Sequence, residues 1–191
     1  MYTPLYIKTN YSLLSSLVTI DNLISLCKKH NLKSIAICDD DMTSTMVFYK
    51  ECKKNDIKPV IGLDVKLDEL SVLLYAKNYE GYQNLIKLST KKYERNINID
   101  DLKERKDNLI CILPFESRVK FEELKGIYEE IYLGYQNKIE EEEARKYTKD
   151  IVFLNKVLYL NKDEATYLKY IFMIRDGKTI SDDTYYKEND N

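Results

Sequence analysis

The sequence predicts a parallel α/β fold, either a barrel or a doubly wound sheet, and three observations predict it. Along the chain the apolar residues switch repeatedly between the strand period of two and the helix period near 3.6. The switches give about seven strand–helix units joined by short connections, the pattern of βαβ architecture. Ser34-Ile-Ala-Ile-Cys38 is a near-continuous apolar run of the kind that parallel strands, buried on both faces, carry. Barrels of eight units take ~250 residues. At 191 residues the barrel is therefore expected to be compact, incomplete or distorted.

Each element has its own justification. Leu5–Thr9 reads as a short strand. Asp21–His30 is helical, with Leu23, Ile24, Leu26 and Cys27 on one side and Thr19 or Asp21 as cap. The Ser34–Cys38 strand leads to a helix over Thr43–Asn55 and a strand at Pro59–Gly62. Leu70–Ala76 is a further strand, and Asn78 caps a helix running to Thr90. A short helix at Asp100–Arg105 precedes the strand Leu109–Leu113, which Pro114 stops. A helix near Arg118–Lys125, the strand Glu130–Gly134, a helix over Glu140–Lys149 and strands at Ile151–Leu154 and Val157–Leu160 follow. Asn161 caps a last helix, with Gly177 at its end. Residues 1–180 read as one domain. The polar stretch 181–191 carries no core pattern and reads as a linker or a loop cut at the edge of a piece.

Composition excludes several classes. The 30 Lys and Arg residues balance 32 Asp and Glu, a net charge of −2 that argues against strong nucleic-acid binding by this chain alone. With one histidine, His30, beside a lysine pair that suits a helix C-terminus, a cluster of imidazole ligands is ruled out. The five glycines form neither G-x-G-x-x-G nor G-x-x-x-x-G-K, so no glycine loop cradles a nucleotide. Cys27, Cys38, Cys52 and Cys111 contain no C-x-x-C pair and read as reduced, buried thiols of a cytoplasmic protein. No apolar run reaches membrane-span length, and the N-terminus lacks the pattern of a signal peptide.

Candidate chemistry gathers at strand ends. Asp39, Asp40 and Asp41 follow the Ser34–Cys38 strand, and the C-terminal ends of parallel strands are where α/β folds place their sites. Such hard oxygens suit magnesium; a polar turn with an Asp as helix cap is the plainer reading. Asp64, after Ile61-Gly-Leu, stands where it could reach the same mouth. Glu140–Glu143 suit a helix N-terminus, and Lys28-Lys29, Lys53-Lys54 and Lys91-Lys92 suit helix C-termini as solvated charge. Tyr11, Tyr49, Tyr75 and Tyr82 read as packing residues first.

Four stretches resemble one family. Thr9-Asn-Tyr-Ser-Leu-Leu14 with Ile20-Asp-Asn-Leu, and Phe48-Tyr-Lys-Glu-Cys-Lys-Lys-Asn-Asp-Ile-Lys-Pro-Val-Ile-Gly62, are similar to the opening of the PHP domain of bacterial DNA polymerase III alpha subunits. Leu73-Leu-Tyr-Ala-Lys-Asn-Tyr-Glu-Gly-Tyr-Gln-Asn-Leu85 resembles that family's strand-to-helix stretch, and near the end Leu158-Tyr-Leu-Asn-Lys-Asp-Glu-Ala165 with Ile174-Arg-Asp-Gly-Lys-Thr179 resembles its closing segment. Residues 92–150 match by element order alone. The resemblance implies a distorted (β/α)7 barrel, related to the TIM barrel. In active members the barrel mouth binds up to three metal ions and hydrolyses phosphoesters.

Carried over residue by residue, the family's ligand positions fall on other residue types. His-x-His becomes Tyr6 and Lys8, and the acid after Ser-Leu-Leu becomes Ser15. Thr-Asp-His becomes Cys38-Asp39-Asp40, the glutamate after Ile-Gly-x becomes Asp64, a histidine becomes Ser71, and Asp-x-His becomes Lys156-Val157-Leu158. The resemblance implies an interaction or structural domain with no catalytic residues, no metal and no cofactor of its own. Its implied partners are the rest of the polymerase alpha subunit and a proofreading exonuclease, with DNA bound weakly and no membrane. The alternative is a phosphoesterase or 3′–5′ exonuclease holding magnesium or manganese on Asp39, Asp40 and Asp64. Under the first reading Lys8 stands in for a metal, its ammonium meeting Asp64 or one of Asp39 and Asp40, with the Tyr6 hydroxyl beside it.

Overall fold

Eight strands and seven helices lie along residues 3–179, the part of the chain that the computed structural model describes. They are β1 (Tyr6–Ile7), α1 (Ile20–Lys29), β2 (Ser34–Asp39), α2 (Thr45–Lys54), β3 (Lys58–Leu67), β4 (Leu70–Ala76), α3 (Tyr79–Glu94), α4 (Ile99–Glu104), β5 (Leu109–Leu113), α5 (Phe121–Lys125), β6 (Ile131–Tyr135), α6 (Lys138–Ala144), β7 (Ile151–Phe153), β8 (Lys156–Val157) and α7 (Ala165–Arg175). Short 3-10 turns at Phe115–Lys120 and Lys162–Glu164 lead into α5 and α7. The caps follow side-chain chemistry. Thr19 accepts from Asn22 N, Asn78 from Gly81 N and Asn137 from Glu140 N, while Asn98 and Asp101 form a reciprocal box at α4. The boundary at 180 and the stretch 181–191 lie outside the described residues.

Six strands form one sheet in the order β2-β3-β4-β5-β6-β7, and β1 pairs with β8 in a second, two-stranded ladder. β1 bridges the edges: Lys8 N donates to Val157 O at 3.1 Å, and Ala36 N on β2 donates to Pro4 O at 3.4 Å. Tyr6, Ala36, Cys38, Leu73, Tyr75, Ile112 and Leu154 make the interior cluster of this curled sheet. Gly62 lines it because a Cβ there would stand 2.6 Å from the Tyr75 ring. Two further clusters lie outside, one under α1 and α2, the other under α3, α4 and α5.

The all-parallel expectation fails at β4, which runs antiparallel to both β3 and β5. β3 continues past Gly62 to Leu67 and turns back through Asp68 and Glu69, whose φ values are +49° and +65°. Two consecutive residues at positive φ are what a two-residue hairpin turn requires. Asp-Glu does not advertise that turn as Asn-Gly would. The pair β3–β4 therefore has no crossover helix. Other boundaries move less. β1 is shorter than Leu5–Thr9, β8 is Lys156–Val157 rather than Val157–Leu160, and α6 runs from Lys138 to Ala144 behind its Asn137 cap.

Candidate functional site at the barrel mouth

β3 alternates, sending Leu63, Val65 and Leu67 outward into the α3 cluster and Asp64 inward. Tyr6 and Lys8, two residues apart on and just after β1, point to the same interior. There the Lys8 Nζ lies 2.6 Å from Asp40 Oδ1 and 2.9 Å from Asp64 Oδ2. The Lys8 side chain is 5% exposed, that of Asp64 0% and that of Asp40 34%. Tyr6 donates its hydroxyl to Asp64 Oδ2 at 2.8 Å, with Ser71 Oγ 3.4 Å from the same oxygen. Asp64 Oδ1 is buried and accepts no hydrogen bond from the protein.

Three more lysines surround this centre. Lys66 donates to Ser71 Oγ at 2.6 Å. Lys92, from the end of α3, donates to Asp40 O at 2.7 Å and Asp64 O at 3.2 Å. The Lys156 Nζ lies 5.2 Å from the centroid of the Tyr6 ring. Burial works against the Asp64 carboxylate, but Lys8 and Lys66 outweigh it and hold the group below its ordinary range. Burial likewise works against the Lys8 ammonium, and Asp64 and Asp40 outweigh it, so Lys8 is held above its ordinary value. Lys92 and Lys156 go the other way: burial, reinforced by Lys8, lowers both despite Asp40 and Asp64. Burial first, then Asp64, raises the Tyr6 phenol. The central pair thus stays ionised across the neutral range, which suits charge neutralisation and not proton transfer.

The structure brings together Tyr6, Lys8, Asp40, Asp64 and Ser71. It does not bring Asp39 to the ammonium. Asp39, 1% exposed, accepts from Thr9 N (2.6 Å), Thr9 Oγ1 (2.7 Å), Ser12 Oγ (2.8 Å) and Ser44 Oγ (2.6 Å). It clamps the end of β1, the loop after it and the start of α2. Asp41 sits on the rim, accepting from Thr43 N at 2.8 Å and Tyr93 Oη at 2.9 Å. Ser15 turns back on its own exposed loop, 3.3 Å from Leu13 O. Leu158 contributes its carbonyl, which accepts from Ser16 Oγ at 3.0 Å. His30 is the C-cap of α1. The Lys91-Lys92 pair divides: Lys91 meets Asp101 at 2.9 Å and Glu104 at 2.7 Å, while Lys92 turns into the mouth and is not the solvated charge expected.

Sequence reasoning missed Lys66 and Lys92 as members of the cluster. The strand alternation that turns Asp64 inward also carries Lys66 to that side, so that signal existed. Nothing in the sequence separates Lys92 from any other lysine at a helix end. Among the described residues no group of three or more His, Cys, Asp or Glu side chains stands together as a metal site would. No helix among them is long and apolar enough to cross a membrane.

A curled mixed sheet with helices outside and charged residues at its mouth defines a TIM-barrel-related α/β fold of the PHP and amidohydrolase kind. An amidohydrolase of Chromobacterium violaceum superposes with a TM-score of 0.58 at 6% identity, over 90% of this chain and 97% of that one. A two-domain protein of Bacteroides vulgatus, described as containing a PHP-like metal-dependent phosphoesterase, superposes with a TM-score of 0.55 at 10% identity, over 93% of this chain and 55% of that one. At such identities the likeness is one of fold.

The PHP domain family model matches residues 4–163, and the chain belongs to that family. It is similar to the DNA polymerase III subunit alpha of Streptococcus pyogenes, 27% identical over 192 aligned positions that cover 95% of this chain and 18% of the other. The corresponding subunit of Borreliella burgdorferi is 35% identical over 132 positions, covering 58% of this chain and 12% of that protein. The chain thus spans less than a fifth of the curated relatives it matches.

Proposed function

We propose that this chain serves as a structural and interaction domain of a bacterial replicative polymerase alpha subunit, acting in DNA replication in the cytoplasm. In this reading a fixed ammonium occupies the place of a divalent ion. The observation that carries it is Lys8, seated between Asp40 and Asp64 at 2.6 and 2.9 Å. The donor set does not suit a metal. Both Asp39 oxygens are committed to four donors, Asp40 Oδ1 and Asp64 Oδ2 face Lys8, and a cation entering there would meet like charge. A hydroxide nucleophile needs a Lewis-acid ion held by several ligands. The partners this reading carries are the remainder of the alpha subunit and a proofreading exonuclease.

The competing reading, a magnesium- or manganese-dependent phosphoesterase on Asp39, Asp40 and Asp64, has one observation in its favour, the unpartnered Asp64 Oδ1. Calorimetric titration of the full chain with Zn²⁺, Mn²⁺ and Mg²⁺ decides between them. The expected result is no stoichiometric site tighter than about a micromolar, a Kd that corresponds to ~8 kcal/mol. A tighter site that disappears in Asp64→Ala, together with hydrolysis of a generic phosphodiester, overturns the proposal.

A further inference from the structure

The β3–β4 hairpin leaves a gap in the outer layer. In a βαβ barrel each crossover lays one helix over its strand pair. β3 and β4 share a two-residue turn, so the pair supplies no helix between α2 and α3. α2 packs Phe48 and Cys52 toward β2, and α3 packs Leu85 and Leu88 over β3 and β4. A cavity of about 470 Å³ lies between the two helices, and a second of about 480 Å³ lies between α3 and the loop 41–43 before α2; Tyr82 lines both. Their walls are Met46 and Tyr49 from α2 and Tyr79, Tyr82 and Ile86 from α3, with Ile61 as floor. Met46 is 53% exposed, Tyr49 41% and Tyr79 71%, so both helices present a second apolar stripe besides the one on the sheet.

We propose that this slot is the docking site of an amphipathic α-helix of a partner protein, acidic along one flank. The proposal rests on the interaction-domain reading and names the surface that would serve it. Shape argues for a helix. The slot follows α3, whose 16 residues extend ~24 Å at 1.5 Å per residue, the length over which a partner helix presents about four apolar side chains in one stripe. Charge argues for the acidic flank. Lys50 and Lys53 stand one turn beyond Met46 and Tyr49 on α2, and Lys53 Nζ lies 5.7 Å from the Tyr49 ring centroid. Neither makes an ion pair among the described residues. At the other end of the slot Asp41 and Glu94 line the wall. Acidic partner residues therefore lie along Lys50 and Lys53, and the partner helix points its positive N-terminus toward Asp41 and Glu94. Helix-in-groove recognition reads apolar anchors at i, i+3, i+4 and i+7.

The test uses the full 191-residue chain and a synthetic probe. The probe is a labelled 16-residue peptide with leucines at i, i+3, i+4 and i+7 and glutamates on the flanks of the stripe, followed by fluorescence anisotropy. The expected result is saturable binding that weakens about tenfold in Met46→Glu and in Tyr79→Glu, as loss of an interface anchor does. It also weakens severalfold in Lys50→Glu/Lys53→Glu, most at low salt. The same peptide with lysine flanks binds at least about fivefold more weakly. Absence of binding, or equal binding of both peptides unmoved by these variants, overturns the proposal. So does a dimer in sedimentation that Met46→Glu dissolves, since the occupant is then a second copy. None of these substitutions touches Lys8, Asp40 or Asp64, so the metal titration and this one fail separately.

Discussion

Replacing Lys8 by methionine keeps most of the side chain's volume and removes its charge. Asp64, fully buried, is then left without the ammonium 2.9 Å away. Breaking a buried pair by removing one partner costs about 3–5 kcal/mol. Asp64 keeps the Tyr6 hydroxyl at 2.8 Å and the field of Lys66, which places the loss near the lower end, about 3 kcal/mol. At this chain length that is a fall in Tm of roughly 6–12 °C. The sign of the pH dependence is more diagnostic than its size. In the parent protein the Asp64 pKa is depressed, so its contribution is present above the unfolded value near ~3.9 and lost as pH falls through the folded value. The Lys8 pKa is raised, so its contribution is present below ~10.4 and lost as pH rises through the folded value. Stability from the pair is therefore flat between about pH 5 and 9. In Lys8→Met, burial acts on Asp64 unopposed by the ammonium and raises its pKa. The variant is then stable below ~4 and loses stability as pH rises toward neutrality, by up to about 1.4 kcal/mol per pH unit. Urea unfolding followed by circular dichroism at pH 4.5, 6 and 7.5 reads this slope. The double variant Lys8→Met/Asp64→Asn abolishes it and recovers at least half the loss. A Lys8→Met protein within ~1 kcal/mol of the parent at pH 7.5, with a flat profile, refutes the reasoning, because the mouth then behaves as solvated surface.

Three further outcomes are expected. Asp39→Ala strands one backbone amide and three hydroxyls and lowers urea-unfolding stability by about 3 kcal/mol, more than Asp41→Ala on the rim. Asp68→Asn/Glu69→Gly supplies the turn with residues that tolerate positive φ and raises stability by roughly 1 kcal/mol in the same assay. Primer–template DNA at physiological salt binds this chain no tighter than about a micromolar by fluorescence anisotropy, in keeping with a net charge of −2.

Much of the fold is legible because it rests on local rules. The α1 stripe of Leu23, Ile24 and Cys27, the apolar run of β2, and the asparagine cap at Asn78 all follow from period and side-chain reach. The hairpin at Asp68 and Glu69 is not legible, since its positive φ values are imposed by pairing of β3 with β4 and not by the residues in the turn. Strand alternation aims Lys8 and Asp64 inward, so their meeting could be anticipated. Of the three aspartates at 39–41, Asp41 stands apart in the sequence reading, but Asp39 and Asp40 could not be told apart as the partner of Lys8. Their separation into clamp, partner of Lys8 and rim depends on Thr9, Ser12, Ser44 and Tyr93, which come from other elements.

The first strand is joined to the rest by few backbone bonds. Its ladder with β8 has two residue pairs, Tyr6 with Lys156 and Ile7 with Val157, closing a loop that spans most of the described chain. Among the described strand pairs this contact carries the largest loop-closure entropy and belongs late in folding. The continuous six-stranded sheet holds Asp64, and Asp40 follows directly on β2, but the ammonium that neutralises both arrives with β1. Folding order and charge are thereby coupled. A sheet assembled without its N-terminal strand lacks the ammonium that meets Asp64 and Asp40 directly and leaves Asp64 only the field of Lys66, and docking of that strand completes the barrel and the ion pairs in the same event.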